Sequence, residues 1–403
     1  VRSAFEGEWA RIVATLIRVT GDWDVAEEAA AGAFERALVT WPRDGAPRNP
    51  GAWLTTAARN LALDRLRRRG VEAGKLREWV AMDDAEGHPS RDPADVVGEE
   101  PEWDDRLRLI FTCAHPALPP EARVALTLRT VGGLTTAEVA HAFFVTESTM
   151  AQRIVRAKAK IAHAGIPYRV PSPDALPERL DGVLAVLYLV YNEGYVASSG
   201  PNLQRLDLAA EAIRLARLLV GLLPAPEATA LLALMLLQHA RSSARVDEHG
   251  DLVPLDDQDR SRWDAAELTE GLALLAAPTT DRGPYRVQAD IQAVHARART
   301  ASGTDWPAIL RLYDELPATP FVDLNRAVAL GMAAGPDAGL RALDALATSG
   351  RLSAHHLLPA AQADLCRRAG RLAEAEQHYR VALDLAPTEP ERRYLARRLA
   401  SLG

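Results

Sequence analysis

Cysteine is scarce. The 403 residues contain two, Cys113 and Cys366, far apart along the chain. That excludes a disulfide framework and suits a reducing compartment, so a cytoplasmic protein is expected. Cys113 lies two residues before His115, but no second ligand pair follows at zinc spacing. His355 and His356 adjoin without a third ligand, and neighbouring helical residues point about 100° apart. No metal or cofactor is expected. Aromatics make up only 5% of the chain, and no segment alternates β-branched residues with period two, which argues against sheet. No apolar run reaches ~18 residues without a charge, so no membrane span is expected. The N-terminus lacks a charged-then-apolar secretory pattern. A Gly-rich phosphate loop, a βαβ unit, paired carboxylates and a nucleophile–base set are all missing, so the chain does not read as an enzyme.

What is abundant is Ala, Leu and Arg, the leading helix formers, and an all-α protein follows. A hydrophobic content of 48% leaves ample material for helical cores. The net charge of −7 hides strong segregation. Arg59, Arg65, Arg67, Arg68, Arg69, Lys75 and Arg77 make one basic stretch. From Ala81 to Asp105 the sign reverses, with acids from Asp83 to Asp105 against a single Arg91, interrupted by Pro89, Pro93 and Pro101. Such a stretch cannot bury enough apolar surface to fold alone and reads as a linker. Prolines 167, 171, 173 and 177 mark a second break. The expected organisation is a helical block at 1–72, an acidic linker at 73–104, a second small helical block at 105–165, and a helical extension at 166–403.

The window Leu134–Ile161 reads LTTAEVAHAFFVTESTMAQRIVRAKAKI. Thr135 and Glu138 have capping-box spacing. A short helix to about Phe143, a turn near Phe144, and a second helix from Glu147 capped by Thr146 follow. Phe144 stands where many such turns carry glycine, so a turn of different detail is expected. Met150, Ile154, Ala157 and Ile161 share one face; Ser148, Gln152, Arg153, Arg156 and Lys160 fall away from it. This is a helix-turn-helix pattern, whose second helix can enter the DNA major groove. The competing reading is a solvated amphipathic helix in any bundle. Upstream, Asp24 is a candidate cap for a helix over Val25–Trp41. Asn49-Pro50 opens another helix to about Arg69. On that helix Leu54, Ala58, Leu61 and Leu66 can face a core. Trp53, Asn60, Asp64 and Arg67 lie near another face. Aromatics beside amides and arginines suit unpaired bases, though a core tryptophan and a solvated arginine cluster would look the same.

The ordered combination of Trp53-Leu54, Ala58-Arg59-Asn60-Leu61-Ala62, Asp64, Leu66-Arg67-Arg68, the acidic linker and the helix-turn-helix resembles extracytoplasmic-function (ECF) RNA polymerase sigma factors. Trp41-Pro42-Arg43-Asp44-Gly45, Asn49-Pro50-Gly51-Ala52-Trp53-Leu54 and Thr149-Met150-Ala151-Gln152-Arg153 resemble the group with a C-terminal TPR-like extension. The resemblance implies sigma domain 2, then sigma domain 4, and a cytoplasmic subunit that binds core RNA polymerase and promoter DNA. It assigns −10 recognition to Trp53, Arg59, Asn60, Asp64, Arg65, Arg67 and Arg68. The −35 contacts fall to Ser148, Thr149, Gln152, Arg153, Arg156 and Lys160, and polymerase contacts to Glu27, Glu28 and Phe34. The linker would thread the polymerase cleft or act as a plain tether. Related proteins often carry Gln and an acid where this chain has Ala31-Gly32, and glycine mid-helix costs about 1 kcal/mol in propensity.

In the extension, Gly370-Arg371-Leu372-Ala373-Glu374-Ala375, Tyr379, Ala382-Leu383 and Pro387 match the second half of a tetratricopeptide repeat, with a weaker unit over Asp323–Ala345. Leu184–Tyr195 is expected as a buried helix docking the extension on the second DNA-reading block. Gln238–Arg245 (QHARSSAR) has no assigned role. The alternative function is an autonomous helix-turn-helix regulator with a TPR-like sensor region, which would bind an operator without polymerase. The Trp53–Arg69 block favours the sigma reading, since a regulator needs no strand-opening domain.

Overall fold

The structure, a computed structural model, describes residues 2–68, 104–143, 145–196, 203–277, 279 and 282–402. Residues 73–103 of the acidic linker expected at 73–104 and the turn residue Phe144 lie outside these. The described residues form 18 α-helices and no strand ladder. They divide into two compact units, one running to Val186 and one from Leu187 onward.

The first unit begins with α1 (Arg2–Thr20), α2 (Trp23–Asp44) and α3 (Pro50–Arg68). Helix α2 is capped by Asp22, not by Asp24: the Asp22 carboxylate accepts from the backbone N–H groups of Asp24 and Val25 at 3.0 and 2.9 Å. This lets the helix start at Trp23, whose ring meets Tyr168 edge-on at 6.4 Å. Asp24 is released to pair with Lys158. Helix α3 opens as its sequence dictates, with the Asn49 side chain accepting from the Ala52 N–H at 3.0 Å. Its stripe Gly51, Leu54, Ala58 and Ala62 is buried. Gly32 is where α2 meets Leu61 of α3: a Cβ there would sit 3.0 Å from the Leu61 side chain. The glycine that costs helix propensity thus permits close helix packing.

The second block contains α4 (Asp105–Cys113), α5 (Pro120–Leu126) running into a π-turn over Thr127–Val131, α6 (Thr136–Ala142) and α7 (Glu147–His163). The capping box is reciprocal: the Glu138 carboxylate accepts from the Thr135 N–H at 2.7 Å, and the Thr135 hydroxyl from the Glu138 N–H at 3.1 Å. Thr146 caps α7 by accepting from the Thr149 N–H. Met150, Ile154, Ala157 and Ile161 are buried, as their spacing requires. The unit does not stop at Gly165. It continues into α8 (Leu176–Tyr195), where Arg179 donates to the Phe111 carbonyl at 2.7 Å.

The second unit takes up α8 from Leu187. It adds α9 (Leu206–Leu222), α10 (Pro226–His239), α11 (Ala265–Leu274), α12 (Pro284–Arg297) and α13 (Trp306–Asp314). Next come α14 (Pro320–Ala334), α15 (Pro336–Thr348), α16 (Leu357–Arg368), α17 (Leu372–Leu385) and α18 (Glu389–Ala400). Helix α10 is apolar on every side and buried from Ala230 to Leu237, as a helix enclosed by neighbours must be. The last pairs, α14–α15 and α16–α17, pack in chain order around Leu324, Leu343, Leu365, Tyr379 and Ala382. His356, one of the two adjoining histidines, sits 3.3 Å from Glu391. At Gly194 the backbones of α8 and α9 come so close that a Cβ would lie 2.4 Å from the Ala209 nitrogen. Gly194→Ala is therefore expected to cost about 1–3 kcal/mol, read as a lower denaturant midpoint. An unchanged midpoint would show that this contact relaxes freely.

Candidate nucleic-acid interface

Two basic faces stay open on the first unit. On α3, with Ala58 and Ala62 turned inward, Asn60, Asp64, Arg67 and Arg68 are exposed. Asp64 holds Arg68 at 2.7 Å across one turn. Arg65 is half-buried and reaches Glu28 of α2 at 3.3 Å; Arg59 is half-buried and partnered. Trp53 is half-buried, its ring meeting Trp41 at 5.6 Å and 67°. It combines the two sequence readings, with one side packed and the other accessible. Single-stranded bases need such a supported ring next to guanidinium groups.

On α7, Ser148, Thr149, Gln152, Arg156 and Lys160 are exposed and Arg153 is half-buried. The Ser148 and Thr149 hydroxyls lie 3.0 and 2.8 Å from the capping Thr146 hydroxyl, which fixes the first turn of the helix. Arg153, Arg156 and Lys160 line a cleft of about 570 Å³ whose other wall carries Leu118, Glu121 and Ala122. Val155, 64% exposed, stands three residues after Gln152 on the solvent side. Sequence reasoning passed over it because an isolated valine carries no signal. Its exposure beside Gln152 and Arg156 is what singles it out, since apolar side chains read thymine methyl groups.

The three residues expected on polymerase fare differently. Glu28 is exposed. Phe34 is 5% exposed and packs between Phe5 and Trp9. Glu27, also 5% exposed, is enclosed by the second block. The Thr130 hydroxyl donates to it at 2.8 Å, and Arg129 and Lys158 lie 3.4 and 3.2 Å away. Around this knot the Trp9 indole N–H donates to the Thr130 carbonyl at 3.0 Å, Arg18 pairs with Asp105 at 2.8 Å, and the Tyr168 hydroxyl donates to the Ala14 carbonyl at 2.9 Å. Gly133, at φ +79°, lets Phe5 and Trp9 lie against the loop before α6, where a Cβ would come within 2.9 Å of both rings. In this arrangement Glu27 and Phe34 present almost no surface to a partner. The open side of α2 instead shows Glu28, Glu35 and two apolar residues that sequence reasoning did not select, Leu38 (59% exposed) and Val39 (74%).

Exposed cationic helices on two small helical blocks, the second with a helix-turn-helix pattern, are the arrangement of a DNA-binding protein. Comparison with known proteins agrees. Residues 8–71 match sigma-70 region 2, and residues 108–161 match sigma-70 region 4. Residues 179–278 match a family of unknown function, DUF6596. The uncharacterized protein R00370 of Rhizobium meliloti (strain 1021) is 43% identical over 396 residues, 96% of this chain and 92% of that protein. The probable ECF RNA polymerase sigma factor SigI of Mycobacterium tuberculosis (strain CDC 1551 / Oshkosh) is 29% identical over 167 residues. That match covers 41% of this chain and 56% of SigI, and the SigI of strain ATCC 25618 / H37Rv matches identically. No solved structure matches. The chain carries sigma-70 regions 2 and 4, which with the SigI match support an ECF-type sigma factor, and a C-terminal extension with the DUF6596 domain. Its sigma-70 domains imply binding to core RNA polymerase and promoter DNA. No described helix is long and apolar enough to cross a membrane.

Proposed function

We propose that this chain directs promoter-specific initiation with α3 on the −10 element and α7 on the −35 element, and that its extension controls or supports that role in cis. The observation that carries the reading is the division of surface within the first unit. Both basic faces are open, while on α2 Glu27 is enclosed by the second block and Phe34 by Phe5 and Trp9 of α1. Trp53, Asn60 and Arg67 suit an opened strand. Gln152, Arg153 and Arg156 suit base edges, and Lys160 suits phosphates. The absence of any membrane-spanning helix among the described residues fits a cytoplasmic subunit. For the extension, helices that pack in chain order support a TPR-like stack, which builds extended surfaces for intramolecular docking.

The unit boundary sets the test. Residues 1–186 and the full chain are compared with core polymerase on a cognate promoter. A role in cis requires transcript levels that differ severalfold in either direction, a rise marking inhibition and a fall marking support. Equal output from the two forms rejects both.

A further inference from the structure

The second unit buries arginines that have no carboxylate partner among the described residues. Arg241 and Arg245, each 8% exposed, flank the segment that follows α10. Both engage Tyr195: Arg241 donates to its hydroxyl at 2.8 Å, and Arg245 donates to its carbonyl at 2.5 Å while its guanidinium stacks 3.6 Å from the ring centroid. Trp263 stands between two guanidiniums, 5.9 Å from Arg241 and 4.6 Å from Arg260. Arg260 donates to the carbonyls of His295 and Ala298, both at 2.7 Å. Among the described residues none of these three arginines has a carboxylate within ion-pair distance. The acids whose fields reach them are engaged elsewhere, Asp256 with Arg368 at 2.7 Å and Glu391 with His356 at 3.3 Å.

The atoms left over point to the missing partner. Arg241 Nε, Arg260 Nη2 and Trp263 Nε1 are buried with no hydrogen-bond partner, and all three only donate. The Ser242 hydroxyl and His295 Nδ1 are likewise buried and unpartnered, and each is able to donate. Buried ionised groups are normally paired, and a cluster of unpartnered donors is the converse of an oxyanion; the Gln238 and Gln258 amide oxygens are buried and unpartnered too. The local field agrees. Burial, reinforced by Arg241 and Arg260, pushes His295 down to about 4, so the imidazole adds no further charge at neutral pH. Burial alone would raise the Tyr195 phenol, but Arg241 and Arg245 hold it below its ordinary range.

We propose that Arg241, Ser242, Arg245, Arg260 and the Trp263 indole N–H form a binding site for an oxyanion, the phosphate or carboxylate group of a small acidic ligand. The site lies wholly within the second unit, goes beyond the sigma-factor reading and is independent of it. It gives the QHARSSAR segment a role: two arginines and a serine delivered where α10 ends, facing Arg260 and Trp263 just before α11 begins. The planar guanidiniums match phosphate and carboxylate geometry.

The test is thermal unfolding of the full chain in inorganic phosphate, in citrate and in chloride at matched ionic strength. At a hundredfold excess over Kd, a bound anion raises the midpoint by roughly 5 °C. A rise in phosphate alone assigns a phosphate group, and one in citrate alone a carboxylate. Because excluded salts also stabilise proteins, the variants decide. Arg241→Gln should abolish the anion-specific rise. Ser242→Ala removes a hydroxyl with no partner, so stability in chloride should hold while the anion binds about fivefold more weakly. No anion-specific rise in either arm, or equal rises in wild type and both variants, would overturn the site.

Discussion

Lys158→Glu lowers the stability of the first unit by about 3–5 kcal/mol and tightens binding to core polymerase. The first effect follows from burial: Lys158 is 13% exposed and Glu27 6% exposed at their side chains, with Asp24 2.8 Å from the same ammonium. Removing Lys158 takes away the nearer of the two cations beside Glu27 and leaves Arg129 at 3.4 Å, and breaking a buried pair costs about 3–5 kcal/mol. A glutamate adds repulsion from both acids. The second effect follows from what the contact hides. If polymerase takes the form in which Glu27 is uncovered, apparent affinity scales with the population of that form. Weakening the closed form by 3 kcal/mol then gives on the order of a hundredfold gain. Lys158→Arg keeps the charge and should leave affinity near wild type. Denaturant midpoints and equilibrium binding to labelled core polymerase read the two effects separately. Lower stability with unchanged affinity would show that the packing of the two blocks has no part in polymerase binding.

Arg153→Ala lowers transcription from a cognate promoter roughly 5- to 150-fold, the range for losing one good base contact of about 1–3 kcal/mol. Arg153 is half-buried on the rim of an open cleft, so the loss should come without a matching fall in stability. The effect should vanish on promoters altered at the −35 base it reads. Unaltered −35 preference in the variant would place that arginine outside the reading surface. Val155→Ser is a companion: it should weaken preference for thymine at one −35 position and leave folding intact.

The parts of this molecule legible in its sequence are those written in residues three or four apart. The Thr135–Glu138 box, the Thr146 cap, the Asn49-Pro50 start and the Met150–Ile161 stripe are local, and each forms where its spacing places it. The cap of α2 shows the limit of such signals. Asp22 and Asp24 are equally good caps on paper; Asp22 takes the cap, and Asp24 pairs with Lys158, 134 residues away. The same distance hid the fate of Glu27 and Phe34. Their helix positions were clear, but the residues that cover them, Thr130, Arg129 and Phe5, lie on segments with no local relation to α2. Gly32 read as a defect because propensity is local and its Leu61 contact is not. The end of the first unit was masked too. Prolines 167 to 177 look like a domain boundary, yet Arg179 and the first half of α8 pack with α4. The anion site in the extension was invisible in one dimension, because its arginines come from positions 241, 245 and 260.

The two basic faces are expected to work only in company with polymerase. In vitro transcription with purified core enzyme over a genomic promoter library tests this most directly, run with core alone, with core plus the chain, and with the chain alone in a parallel duplex-binding assay. Discrete start sites are expected only in the combined reaction, with no stable specific duplex complex formed by the chain alone. Tight binding to a defined duplex by the chain alone, with no new start sites in the combined reaction, would contradict this.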